Sequence, residues 1–150
     1  MPHFGLIDDT LQQADASLLR ARLHVRGGRI RLSEGRKEDG VAALYDAMVY
    51  AMLRFFYSKE SRTKLQINNG VDLSEDRTLF IILQKSGIID QSIGIDDFDY
   101  LYQKMDEAIE GELTDFDEDL FISRFERIMT SLEAIPFDER DLPEGDPVTL

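Results

Sequence analysis

Apolar residues recur at intervals of three and four along most of the chain, which is the spacing of one face of an α-helix. The first run begins at Thr10 and continues through the pair Gly27-Gly28. We therefore expect one long helix, continuous or kinked, that ends near Gly35. The second run covers residues 41–57 and is apolar nearly all round, which is typical of the central helix of a domain.

Three further apolar runs follow, and each is preceded by polar residues that could begin a helix. Asp72 and Glu75 have the spacing of a capping box and predict the start of the third helix, and Gly87 suits the position just after its end. We expect Asp96 or Asp97 to begin the fourth helix. We expect Thr114 or Asp115 to begin the fifth helix, and Pro136 to end it.

No segment alternates apolar and polar residues with a period of two for more than a few positions. The sequence therefore predicts an all-α fold, an up-and-down bundle of about five helices in which four form the core and one is shorter. We expect residues 10–135 to form this single domain and residues 1–9 to precede it as an N-terminal arm. Residues 136–150 contain three prolines and no apolar period, which predicts an extended or disordered acidic tail that the fold does not need.

The first helix carries two apolar lines, although a helix at the edge of a bundle needs only one. One line runs from Leu11 to Leu32, and the other consists of Leu19, Leu23 and Ile30. Small residues at positions 14, 21 and 28 would let a second helix approach closely. We expect a two-fold homodimer built on helices one and two, and the alternative is that the remaining helices of the same chain cover both lines.

Composition excludes several classes of chemistry. The chain has 150 residues with no cysteine and only two histidines, His3 and His24. Disulfides, zinc thiolates and thiol nucleophiles are thus excluded, and a site with several histidines is not expected. We expect no metal and no cofactor. Because no apolar run approaches the length of a membrane span and no signal peptide is apparent, we expect a cytoplasmic protein that does not enter a membrane.

Charge is distributed unevenly along the chain. The net charge is −13, but residues 1–64 carry +3 and residues 65–150 carry −16. The net charge of −13 opposes non-specific binding to nucleic acid. In addition, no aromatic residue that could stack on a base lies between Phe4 and Tyr45. Nucleic acid is therefore not an expected partner. The basic strip, residues 20–37, could pair with the acidic half of the same chain, which we favour, or bind an anion.

Six residues are candidates for ligand binding. Three are spaced by four on one line of the apolar second helix, so they share a face. Charges on so apolar a helix are either structural ion pairs or part of a polar cleft that holds a small anion. The other three lie on one face of the first helix, and arginine suits phosphate because its guanidinium is bidentate. The candidates are Asp46, Tyr50 and Arg54 on helix two, and Arg22, Arg26 and Arg29 on helix one.

One segment resembles a calcium loop without matching it fully. Asp115, Asp117 and Asp119 occupy the first, third and fifth positions, with Ser123 and Glu126 further on. The sixth position is Leu120, where the loop needs glycine for its turn. A capping box formed by Asp115 and Glu118 explains the same acids. We expect no calcium site.

The central segment resembles the HEPN superfamily, small helical domains often found beside nucleotidyltransferases or in toxin systems. The resemblance spans roughly residues 11–135 and implies a helical bundle and a dimer. Ribonuclease members of that family carry an arginine, then four to six residues, then a histidine. Here the positions that precede His24 at that distance are Ser17, Leu18 and Leu19, so the nuclease activity is not carried over. The resembling residues are Leu32, Gly35, the run from Gly40 to Ala47, Ala51-Met52, and the run from Leu83 to Ile89.

These features predict a non-catalytic helical interaction or regulatory module, homodimeric and of unknown partner. No serine, threonine or lysine has a recognisable base partner in the sequence, so we expect no enzyme activity and assign no catalytic residue. The alternative is a HEPN-like module that binds a nucleotide or small anion. An RNA-binding degenerate nuclease domain is a third possibility.

Overall fold

The computed structural model of the protein describes residues 12–144, and every regular element in that range is helical. The prediction of an all-α helical bundle is confirmed. The expected N-terminal arm, residues 1–9, lies outside the described residues. The elements are α1 (Gln13–Ser33), α2 (Lys37–Tyr57), α3 (Lys59–Arg62), α4 (Asp76–Lys85), α5 (Ile95–Ile109), α6 (Glu118–Ser131) and a 3-10 turn (Glu139–Asp141).

Helices α1 and α2 form a tight antiparallel hairpin. Gly35 lies just after α1 with φ +79°, and the amide of Arg36 donates to the carbonyl of Arg31 at 2.9 Å. This is the Schellman arrangement that glycine permits at a helix end, since the left-handed conformation costs it little. The chain can therefore turn back within three residues.

Two glycines bring these helices into direct backbone contact. A Cβ atom built on Gly28 would lie 2.6 Å from Cδ2 of Leu44 and 3.2 Å from the carbonyl oxygen of Gly40. A Cβ atom on Gly40 would lie 2.7 Å from Cδ2 of Leu32. Neither helix could carry a side chain here at the observed separation. Gly28 thus allows α1 to cross α2 closely, and α1 continues through the pair Gly27-Gly28 without a break.

Helix α2 is the central helix of the bundle, as its apolar character predicts. It contacts α1, α3, α4, α5 and α6. Its core residues include Leu44, Met48 and Met52, all fully buried. Each of the other five helices of residues 12–144 therefore packs on α2, and α5 also contacts α4 and α6.

Several helix starts differ from the sequence-based prediction. Helix α4 begins at Asp76 rather than Asp72, because the carboxylate of Asp72 accepts the backbone amide and hydroxyl of Ser74 in a local turn. Helix α6 begins after Asp117, whose carboxylate accepts the amide of Leu120 at 3.0 Å. The short helix α3 lies in a segment expected to be a loop, and α5 begins at Ile95, directly after Gly94.

Residues 136–144 pack against α1 instead of extending away as a tail. Phe137 contacts the main core, and Leu142 packs with Ala16, Leu19 and Leu23 in a second, smaller cluster. These two apolar residues are five positions apart in a proline-containing segment, so they produce no helical period for sequence reasoning to detect. The expectation of an extended or disordered tail therefore does not describe this part, and residues 145–150 lie outside the described range.

The second apolar line of α1 is mostly covered within the chain. Leu23 is fully buried, Leu19 is half-buried and only Ile30 is exposed. Two of the small residues expected to receive a partner helix, Ala21 and Gly28, are buried, and Gly28 meets α2. The arrangement follows the alternative in which one chain covers both lines. The homodimer stays a prediction, but most of the apolar line that suggested it is not exposed in the single chain.

We predict that Gly28→Ala destabilises the fold. The added methyl group overlaps Leu44, which is fully buried and cannot move aside. We expect the free energy of unfolding to fall by about 1–3 kcal/mol, although alanine has the higher helix propensity by about 1 kcal/mol. Urea denaturation measures the change. Gly94→Ala is the control, because its methyl group would meet only the amide nitrogen of Asp96, at 3.7 Å, and at the N-cap of α5 it should cost no more than about 1 kcal/mol; equal stability of both variants would contradict the close crossing.

We predict that the double variant Phe137→Ala/Leu142→Ala is destabilised, because α1 loses apolar cover over Leu23 and Leu19. Both side chains are half-buried, so we expect a loss of about 1–3 kcal/mol in the free energy of unfolding. Arg140→Ala is the control, since that side chain is 89% exposed and pairs with the neighbouring Asp138. A double variant as stable as this control would mean that residues 136–144 are dispensable after all.

Candidate functional site

Arg22 and Arg54 both reach the C-terminal end of α6. Arg54 donates to the carbonyl oxygen of Leu132 at 2.8 Å, and Nε of Arg22 donates to that of Ala134 at 3.0 Å. Leu132 is the C-cap of α6, so its carbonyl lacks a partner within the helix and lies at the negative end of the helix dipole, whereas Ala134 lies two residues further on. Burial lowers the pKa of both guanidinium groups. These two arginines therefore fix α6 against α1 and α2.

Arg26 and Arg29 contact the acidic half of the chain. Arg26 donates to the carbonyl of Pro143 at 2.7 Å and lies 4.0 Å from the carboxylate of Glu139. Arg29 lies 3.3 Å from the carboxylate of Glu126, with both side chains about half exposed. These contacts are those expected if the basic strip pairs with the same chain.

Asp46 and Tyr50 lie on the same face of α2 as Arg54 but meet different neighbours. The ring of Tyr50 lies 5.2 Å from that of His24, whose Nδ1 is 2.9 Å from the carbonyl oxygen of Arg20. Asp46 is exposed to solvent. The protein around it still desolvates the carboxyl in part, which raises the pKa of Asp46, and the electrostatic interaction with His24 opposes this shift.

The structure thus divides the six candidates among separate contacts. Arg22 and Arg54 come together on the end of α6, whereas Arg29 and Asp46 lie elsewhere. An anion at Arg22 or Arg54 would have to displace hydrogen bonds to backbone carbonyls. The geometry does not assemble the expected polar cleft from these residues.

The acidic segment at 115–126 forms a helix start. Asp117 caps α6, and Asp115 has φ +49° in the turn before it. Between residues 12 and 144 there is no group of three or more histidine, aspartate or glutamate side chains arranged to hold a metal ion. The expected capping box of Asp115 and Glu118 is therefore wrong in its capping residue, which is Asp117.

Sequence reasoning missed a polar contact where α2, α4 and α5 meet. The hydroxyl of Tyr45 donates to Oδ2 of Asp76 at 2.6 Å. Burial, reinforced by this hydrogen bond, raises the pKa of the Tyr45 phenol, which therefore stays protonated as a donor. The Tyr45 ring lies 6.3 Å from that of Phe98 and 6.0 Å from that of Tyr102.

A cavity of about 450 Å³ opens beside this contact. Its walls are aromatic on the α5 side and acidic on the α4 side. Arg77 and Asp99 face each other at its rim, 2.9 Å apart. We call it the α4–α5 cavity, and it is lined by Ser74, Glu75, Asp76, Arg77, Phe98, Asp99 and Tyr102.

An apolar line on the outer side of α5 continues from this cavity. We define the α5 stripe as Tyr102, Met105 and Ile109, which are spaced by three and four and so share a face. Tyr102 is 48% exposed and Ile109 is 69% exposed, while Met105 is half-buried. These three residues continue the apolar spacing of the helix, so the pattern alone would place them in the core. The core of α5 is narrower, and its fully buried members are Phe98 and Leu101.

A separate, larger depression of about 820 Å³ lies between the loop at residues 90–93 and α6. Its lining mixes acidic groups, among them Glu118 and Glu126, with Arg127 and several hydroxyl side chains. Arg127 also lies 3.4 Å from the carboxylate of Asp97.

Within residues 12–144, no helix combines the length and apolar character that crossing a membrane requires.

Comparisons of the chain with protein-family models, curated proteins and solved structures gave no match. The resemblance to the HEPN superfamily therefore stays an expectation.

We predict that Arg54→Met destabilises the protein more than Arg29→Met. The first change leaves the carbonyl of Leu132, a fully buried residue, without its donor, which costs about 1–3 kcal/mol. The second removes an exposed ion pair to the same helix, worth about 0–1 kcal/mol. Urea denaturation of both variants measures the difference. Equal stability of the two would argue that Arg54 is available for a ligand.

Proposed function

We propose that this protein is a non-catalytic helical interaction module that binds a basic amphipathic segment of another protein along the α5 stripe. The observation that carries the proposal is the exposure of Tyr102 and Ile109 on one helix face, next to a cavity. Contiguous apolar surface rimmed by polar groups marks interaction sites in soluble proteins. The stripe spans eight residues of helix, a rise of about 10 Å, which matches two turns of a partner helix.

Charge favours a basic occupant of the stripe. Asp106 and Glu110 flank the stripe, whereas Asp99 is already paired with Arg77, and the whole chain carries −13. A second copy docked on the same face would bring these carboxylates together, and like charges across an interface are costly. A segment with lysine or arginine beside its apolar face would gain attraction and faster association. The mode is that of an amphipathic helix lying along an apolar surface.

The other functions expected from the sequence have weaker support. A nucleotide or small anion at Arg22, Arg26 or Arg54 would have to replace hydrogen bonds to backbone carbonyls. A homodimer on α1 and α2 would bury Ile30, the one exposed member of the predicted line. Both remain outcomes of the experiment below.

The test uses a leucine–lysine amphipathic peptide of about 18 residues, five helical turns, and a counterpart with glutamine in place of leucine. We expect the first to bind and to shift the amide NMR signals of α5, while the second binds more weakly. Ile109→Gln should weaken binding of the first peptide about fivefold to tenfold, about 1–1.4 kcal/mol. The change lies on the surface, so the fold should persist.

Ile30→Gln is the matched control, because it removes an exposed isoleucine from α1 instead. Equal weakening by both variants, or shifts centred on the depression at 90–93 and α6, would refute the α5 stripe as the binding face. Light scattering of the free protein tests the homodimer: a mass of twice 17.2 kDa that Ile30→Gln returns to the monomer would favour self-association. A rise in melting temperature with nucleotides would favour the anion-binding alternative.

A further inference from the structure

We propose that the α4–α5 cavity accepts one cationic side chain, a lysine ammonium or an arginine guanidinium, from the segment bound on the α5 stripe. The inference rests on the proposed function and specifies which kind of side chain the bound segment must carry. Tyr102 belongs both to the stripe and to the cavity wall. A helix lying along the stripe could therefore direct one long side chain into the cavity.

Aromatic rings supply one side of this cavity. Tyr102 and Phe98 are nearly parallel, with an interplanar angle of 27° and centroids 6.4 Å apart. Tyr102 is half exposed, so part of its ring is open to a ligand. The face of a tyrosine ring attracts a cation placed within about 6 Å of its centroid. The stem of a lysine or arginine could also lie against the ring.

Carboxylates supply the other side. Arg77 and Asp99 form an ion pair at the rim and largely cancel each other's charge. Glu75 and Asp76 remain, two negative charges in the lining. The positive end of the α4 dipole, equivalent to about half a charge, offsets only part of them. The net charge of the cavity lining is therefore negative, which favours a cation.

Tyr45 sets the orientation of the acceptor. Its buried hydroxyl donates to Oδ2 of Asp76, and the carboxylate can accept a further hydrogen bond at Oδ1. A carboxylate held in place by a buried donor loses little freedom when a ligand binds. Tyr45 is thus a positioning residue, and Asp76 is the group that would contact the ligand.

The experiment first uses small probes that carry only the proposed chemistry. n-Butylammonium and n-butylguanidinium are titrated against 1-butanol at constant ionic strength, and the amide signals of residues 74–77 and 98–102 are followed by NMR. We expect both cations to shift these signals and the alcohol to shift them much less. Signals that respond equally to all three probes, or to none, would overturn the inference.

Variants then assign the contacts. Asp76→Asn should weaken cation binding about fivefold to tenfold, whereas Glu112→Gln, the same charge change on an exposed residue after α5, should leave it within about twofold. Tyr102→Phe should retain binding and Tyr102→Ala should lose it, because the ring is required and the hydroxyl is not. Tyr102 is exposed, so this pair remains informative even where Asp76→Asn is poorly folded. Equal effects of Asp76→Asn and Glu112→Gln, or equal binding by the two Tyr102 variants, would contradict the assignment.

The two proposals can fail separately. In the leucine–lysine peptide, each lysine is replaced in turn by norleucine. A single position whose replacement weakens binding to the native protein, but not to Asp76→Asn, supports the cavity. If every position contributes equally in both proteins, the cavity inference fails while the α5 stripe stands. If the peptide does not bind but the small cations do, the proposed function fails instead.

Discussion

The backbone contact between α1 and α2 is the constraint on which the rest of the bundle depends. Gly28 and Gly40 face each other so closely that a Cβ atom on either would overlap a leucine of the opposite helix. Two helices that approach this closely form a rigid hairpin, since Leu32 and Leu44 fill the space beside each glycine. The later helices then pack on α2.

The hairpin also decides what happens to the positive charge of the N-terminal half. Arg22 on α1 and Arg54 on α2 are brought to the same place and donate to the carbonyls at the end of α6. Arg26 and Arg29 reach groups of the C-terminal half. Positive charge of α1 and α2 thus joins the two halves of the chain, and it does not reach the exposed acidic residue Asp106 of α5 in any of these contacts.

Periodicity was sufficient to predict that the fold is helical, because a spacing of three and four persists through all the long helices. It was insufficient for helix starts, since Asp72 can satisfy a nearby turn as readily as a helix end. It was also insufficient for the contacts of Phe137 and Leu142, which have no repeat. The contacts of the candidate residues could not be predicted for a related reason: spacing places Asp46 and Arg54 on one face, but the neighbouring helices determine what each contacts.

The α5 stripe shows why an apolar period overestimates the core. Helix α5 packs on α2 and α4 through Phe98 and Leu101, and one buried face is enough for a helix at the edge of a bundle. Tyr102 and Ile109 extend the apolar pattern beyond that face, so folding of the described chain does not account for their exposure. Under the proposed function, binding of a basic segment would account for it, and the adjoining aromatic and acidic cavity would select one cationic side chain of that segment.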